Sequence, residues 1–178
     1  TADHGESLLE HDYPLNHGNM LHDPGLRVPL LLRAPGVKPG TRVEAPVPLS
    51  TVANTLLRAA GLEPIPGATP SLAEFDPSLP IVSVAPPQQS RRVLQFHRKW
   101  RVGWTEAMER WVVDSDGGAV HFDLARDPGE AHNLAEEDPA APERARAGLD
   151  LLHRLQGEDV AIDPELVEAL EALGYSEE

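Results

Sequence analysis

The chain has 178 residues, a formal net charge of −14 and 40% hydrophobic residues. That is enough apolar material for a folded core, while the acidic balance argues against nucleic acid or an anionic membrane as the main partner. There is no cysteine, which excludes disulfides, zinc–thiolate sites and a cysteine nucleophile within these residues, and no run nears the ~20 apolar residues of a membrane span.

Near its start the chain reads Asp3-His4-Gly5-Glu6-Ser7, and four of its eight histidines (His4, His11, His17 and His22) lie in the first 22 residues. Residues 28–33 form a short apolar run between Pro29 and Pro35-Gly36, read as a buried strand of a mostly parallel sheet. Residues 35–40 are a turn-rich connector. Residues 49–60 carry helical spacing, with Ser50 or Thr51 as candidate N-cap and Gly61 as the stop. This strand–loop–helix order suits an α/β layer. Residues 63–80 are proline-rich and read as a linker or surface excursion. Short β-type runs follow at 81–85, 93–97, 101–104, 111–114 and 119–124, the last two joined by the hairpin signal Ser115-Asp116-Gly117-Gly118. Together they predict an antiparallel sheet. Helical periodicity returns at 142–155, and a second helix is expected at 164–173, with Asp163 as N-cap, Pro164 at N1 and Gly174 at its end. The domain reading is therefore 1–62, the excursion 63–80, and a C-terminal α+β unit 81–178.

The chemistry-bearing residues sit at the front. Adjacent side chains on a strand point to opposite faces, but where the chain leaves the pleat, Asp3 and His4 can both turn toward one ion, with Gly5 supplying backbone freedom. Open α/β sheets place ligands at such strand ends. The alternative is a loop aspartate capping a turn beside a solvated histidine. His17 lies in a Gly/Asn-rich loop that would return it to the same edge, where it could bond an anionic substrate or protonate a leaving group. It could equally be a loop histidine bonded to backbone. Arg27 could clamp an anion, but pairing with Asp23 is favoured. His11 and His22 read as structural or supporting residues, and His97, His121, His132 and His153 as ordinary structural histidines. Asp127-Pro128-Gly129-Glu130 resembles a turn more than a calcium loop.

The ordered set Asp3-His4-Gly5-Glu6-Ser7-Leu8, His17-Gly18 before Leu21, Leu26-Arg27-Val28-Pro29-Leu30 and Ala34-Pro35-Gly36 resembles the C-terminal part of the sulfatase family, within the alkaline phosphatase superfamily. Val43-Glu44-Ala45-Pro46-Val47, Thr55-Leu56-Leu57 and Ala60-Gly61-Leu62 continue the likeness. Phe122-Asp123-Leu124, the 127–130 turn, His132-Asn133-Leu134-Ala135 and Ala172-Leu173-Gly174-Tyr175 are similar to the family's tail.

The resemblance implies an α/β fold, with residues 1–62 finishing an alkaline phosphatase-like mixed sheet and 81–178 forming a small antiparallel sheet with helices. It implies a sulfuric ester hydrolase acting on small-molecule or glycan sulfate esters, and a periplasmic or secreted location. Asp3 and His4 match the later pair of ligands to a divalent ion, calcium by family habit, although a histidine ligand also suits manganese or zinc. His17 matches a basic residue contacting the sulfate or leaving oxygen. The formylglycine nucleophile, made inside a Cys/Ser-x-Pro-x-Arg motif, is expected upstream of Thr1, so this chain alone is expected to be inactive. A phosphodiester or phosphonate monoester hydrolase of the same superfamily, and a non-catalytic acidic interaction domain, are the alternative readings.

Overall fold

The computed structural model describes residues 1–12, 17, 20–87 and 99–155. The predicted strand at 93–97, the helix at 164–173 with its caps, His97 and the 172–175 motif lie outside them. Four strands, β1 (Ile81–Ala85), β2 (Arg101–Glu106), β3 (Glu109–Asp114) and β4 (Ala119–Asp123), form one antiparallel sheet in sequential order. The helices are the single turn α1 (Asp23–Leu26), α2 (Thr51–Ala59) and α3 (Ala141–Leu155), with a 3-10 turn at Glu10–Asp12.

Strand alternation explains the two faces of the sheet. Val102 and Trp104 of β2 and Trp111 and Val113 of β3 face α3, packing with Leu152 and Ala135. The intervening Val112, with Ala85, faces the other way and is covered by Leu21 and Leu26. Because both faces are covered, the interior of β3 is buried without a break, so its sequence reads as a continuous run instead of an alternation. The covering segment 20–26 carries the candidate site residues to the sheet.

The turns differ in legibility. At β3–β4, Asp114 N–H donates to Gly118 O at 2.8 Å and Gly117 takes a φ of 88°, as the Gly-Gly signal predicts. At β2–β3 the two connecting residues are Ala107 and Met108, both with positive φ (49° and 67°). A two-residue hairpin demands that backbone, and neither residue advertises it. Helix α2 ends in a Schellman pattern, with Leu62 N–H on Leu57 O and Gly61 N–H on Arg58 O, Gly61 at φ 72°. Neither expected N-cap forms: the Ser50 side chain makes no capping bond, and the Thr51 hydroxyl donates to Pro48 O instead. Residues 63–80 are stitched to α2, with Asn54 bonding Thr69 O and Ile65 N–H, and Thr55 accepting from Leu72 N–H.

Residues 28–33 do not form the expected strand. They are in no ladder with any described strand, and Leu31 and Leu32 are 84% and 37% exposed. Apolar composition signals fitness for a sheet, but a strand requires a neighbour, and Pro29 offers no N–H to one. The one sheet among the described residues is wholly antiparallel, with no parallel pairing from residues 1–62.

Gly148 of α3 is where helix and sheet come closest. A Cβ there would lie 2.6 Å from Val113 Cγ2 and 3.2 Å from Trp104 Cζ3. Val113 is fully buried in an inner strand and has nowhere to go. Overpacking of about 1–3 kcal/mol therefore outweighs the ~1 kcal/mol that alanine gains over glycine inside a helix. Gly148→Ala is expected to lower stability by about 1–2 kcal/mol, read as a fall in the urea midpoint at unchanged slope.

Candidate metal and histidine sites

Two of the three candidate site residues are neighbours by sequence, and the fold brings the third to them. The His17 ring stacks on the His4 ring with centroids 4.1 Å apart and an 18° interplanar angle. His17 Nδ1 lies 2.9 Å from Glu6 Oε2. Glu6, which sequence reasoning passed over, thus supplies the carboxylate partner of the loop histidine. The visible signal was its place two residues from His4.

The ring of His4 is oriented by its own backbone. Nδ1 is 2.7 Å from Gly5 O. A carbonyl can only accept, so Nδ1 carries the proton and Nε2 keeps its lone pair. Nε2 lies 3.7 Å from Asp3 Oδ2, and both side chains reach solvent, at 43% and 88% exposure. A histidine that donates one nitrogen to a backbone carbonyl and offers the other beside a carboxylate has the donor set of a metal site. Asp3 Oδ1 accepts the His4 backbone N–H at 3.0 Å, which leaves Oδ2 for an ion.

This loop is held to the sheet through a chain of contacts. Gly5 N–H donates to Gly25 O at 2.8 Å, and a Cβ on Gly5 would lie 2.0 Å from Pro24 O, so only glycine permits the approach. Gly25 belongs to α1, whose Asp23 carboxylate takes Arg110 Nη1 at 2.7 Å. The same nitrogen donates to Glu130 Oε1 at 2.8 Å, and Glu130 Oε2 accepts the Asp23 backbone N–H at 2.7 Å. The Glu130 side chain is 1% exposed. Arg27, 3.6 Å from Asp23 and exposed, is a weak second partner of that carboxylate.

Glu130 is a buried carboxylate whose position sequence reasoning read only as part of a turn. It sits at φ 51° in that turn, which Asp127 closes by accepting the His132 N–H at 2.8 Å. Burial by itself would raise its pKa. The His22 contact, the Arg110 charge and the Asp23 N–H outweigh burial and hold the carboxyl below the ordinary glutamate range. A depressed folded-state pKa contributes stability that is complete above the unfolded value and is lost as pH falls through the folded one. Thermal midpoints are therefore expected to fall on acidification below the ordinary glutamate range, and Glu130→Gln is expected to flatten that part of the pH profile.

His11 and His22 flank Glu130 from the open side. Their rings stack at 4.1 Å, and His22 also tilts against Phe122 at 5.4 Å. Burial first, and the neighbouring His22 second, hold the His11 imidazole below the ordinary histidine range. Two of the remaining described histidines have side-chain partners away from these sites. His121 stacks on Trp111 at 4.2 Å and bonds Glu109 at 2.7 Å, and His132 pairs with Asp127.

Comparison with known proteins adds three findings. The family model described as Sulfatase matches residues 1–62. Arylsulfatase K of Mus musculus is 28% identical over 158 residues, a stretch covering 78% of this chain and 27% of the relative. Arylsulfatase K of Homo sapiens is 29% identical over 157 residues, with the same coverage of 78% and 27%. The chain thus spans about a quarter of the length of the curated relatives it matches. A crystal structure of a sulfatase candidate from Bacteroides thetaiotaomicron VPI-5482 superposes with a TM-score of 0.67 at 22% identity, over 92% of this chain and 38% of that one, a likeness of fold.

Proposed function

We propose that this chain, whose residues 1–62 match the Sulfatase family model and which is similar to arylsulfatase K, supplies the later half of a metal site, together with an acid–base histidine, to a sulfuric ester hydrolase. The observation that carries the proposal is the convergence of Asp3, His4, Glu6 and His17, with the lone pair of His4 Nε2 and Asp3 Oδ2 side by side.

A divalent ion held there would polarise a sulfate ester and steady the attacking nucleophile. Asp3 supplies the charge that holds the ion and His4 supplies a neutral nitrogen, a mixed donor set that fits calcium as well as manganese or zinc. Glu6 accepts from His17 Nδ1 and fixes the ring. His17 is the acid that would give a proton to the departing oxygen. The nucleophile comes from outside these 178 residues, which contain no cysteine and no Ser-x-Pro-x-Arg sequence. Among the described residues, no helix is long and apolar enough to cross a membrane.

The test is a chimera in which this chain replaces the matching quarter of mouse arylsulfatase K. Aryl sulfate hydrolysis is expected to persist, with aryl phosphate and phosphonate esters turned over more slowly. Asp3→Asn and His4→Ala are each expected to weaken metal affinity at least about ten-fold and lower turnover in parallel. Full activity in either variant removes the metal assignment. Faster phosphonate than sulfate hydrolysis would move the enzyme to the neighbouring reaction class.

A further inference from the structure

We propose a second metal site, separate from Asp3 and His4 and independent of the sulfatase reading, made by His11, His22 and Glu130 and suited to a zinc-type divalent ion. One ligand atom from each of the three residues falls within 4.8 Å of the others. His22 Nδ1 is 3.4 Å from Glu130 Oε1, and His11 Nε2 is 3.9 Å from Glu130 Oε2.

The closest of these pairs is not a hydrogen bond. His22 Nδ1 is buried and has no hydrogen-bond partner, although the carboxylate faces it. In the tautomer with the ring proton on Nε2, the Nδ1 lone pair and the carboxylate face the same space. Two ligands on a tetrahedral zinc, each at about 2.0–2.1 Å, stand about 3.3–3.4 Å apart. The His22–Glu130 distance is already that, His11 Nε2 stands 3.9 Å from Glu130 Oε2, and all three ligand atoms lie within 4.8 Å, so binding draws His11 inward. The ring stack of His11 on His22 keeps both imidazoles on one side of the carboxylate.

The surroundings support a ligand set. Glu130 is pinned by Arg110 and by the Asp23 N–H, the kind of outer contacts that orient metal-binding carboxylates. Asp23 neutralises Arg110, so the guanidinium does not repel the ion unopposed. Two imidazoles and one carboxylate favour zinc, cobalt or nickel over calcium or magnesium, which ask for six or more oxygens or for octahedral oxygen. Three protein ligands leave a fourth position. Both histidines line a cavity of about 330 Å³ together with Arg101 and Asp114, which gives room for a further ligand. Water would fill that fourth position in the metal-bound protein.

The experiment is calorimetric titration of the 178-residue chain with zinc chloride, with the visible spectrum of cobalt(II) as the second readout. A saturable zinc site and a tetrahedral cobalt spectrum are expected in the parent chain and in the Asp3→Asn/His4→Ala double variant. His11→Ala is expected to weaken zinc binding about ten-fold or more and to abolish the tetrahedral bands. His22→Phe keeps a flat ring against Phe122 and removes the donor, and the same loss is expected. Should His22→Phe not fold, judged by its tryptophan fluorescence, His11→Ala decides alone. Absence of saturable zinc binding overturns the proposal. So does unchanged affinity in His11→Ala, or loss of the site in the Asp3→Asn/His4→Ala variant.

Discussion

Replacing Arg110 with alanine is expected to cost about 3–5 kcal/mol, a large part of the stability of a domain this size. Arg110 Nη1 bridges Asp23 and Glu130, and its Nε donates to the Thr105 hydroxyl at 3.1 Å. Truncation leaves the Glu130 carboxylate buried beside Asp23 with no counter-charge, and removing one partner of a buried pair costs far more than the pair contributes. Lysine is expected to rescue little, since one ammonium cannot reproduce the guanidinium fork. The double variant Arg110→Met/Glu130→Gln is expected to recover part of the loss, because the buried Glu130 charge goes with its partner and Asp23 keeps Arg27 nearby. Urea denaturation of the three variants measures this. Equal stability of Arg110→Ala and parent would mean the bridge is solvated and weak.

His17→Ala is expected to reduce turnover of the sulfatase chimera by roughly 10²–10⁴-fold, the range for loss of a general acid, while metal affinity stays nearly constant. The geometry separates the two quantities. His17 touches His4 through its ring face and Glu6 through Nδ1, and neither contact takes a ligand atom from Asp3 or His4. Glu6→Gln is expected to have a smaller effect, because the amide oxygen can still accept from Nδ1 and hold the ring. Loss of metal in His17→Ala as severe as in Asp3→Asn would make His17 a ligand. No change in either quantity would make it a structural loop residue.

The sheet was legible because strand alternation is local. Residues 81–85 and 119–123 declare themselves by β-type composition, and Gly117-Gly118 marks the turn between β3 and β4. Helix α3 was legible at 142–155 from its apolar spacing. The Ala107–Met108 turn was not, because tertiary pairing of β2 with β3 overrides what those residues prefer. The run at 28–33 misled for the opposite reason, since composition reports what a segment tolerates and not what lies next to it. The histidine clustering pointed to Asp3, His4 and His17, whose proximity the fold then arranges. Arg110 and Glu130 were invisible as a pair because their meeting depends on long-range packing. A hint existed in β3, where Arg110 stands two positions before the buried Val112 and so occupies the same face of an otherwise apolar run.

The contact between Asp23 and Glu130 spans 107 positions of sequence, whereas the β2–β3 and β3–β4 pairings close over two-residue and short turns. Loop closure of that length comes late, after the hairpins have formed a surface to dock on. The segment 20–26 therefore acts as a strap fastened last, and the histidine sites exist only once it is down. Such a strap can also lift by itself, at a free energy below that of global unfolding, while Trp104 and Trp111 stay packed under α3. Amide protons of Gly5, Asp23 and Leu26, each bonded within or through the strap, should then exchange with solvent sooner than that of Val113. Mutations far from any catalytic atom would act by changing how much of the time the strap is fastened, altering the fraction of competent molecules while leaving the chemistry of each one intact.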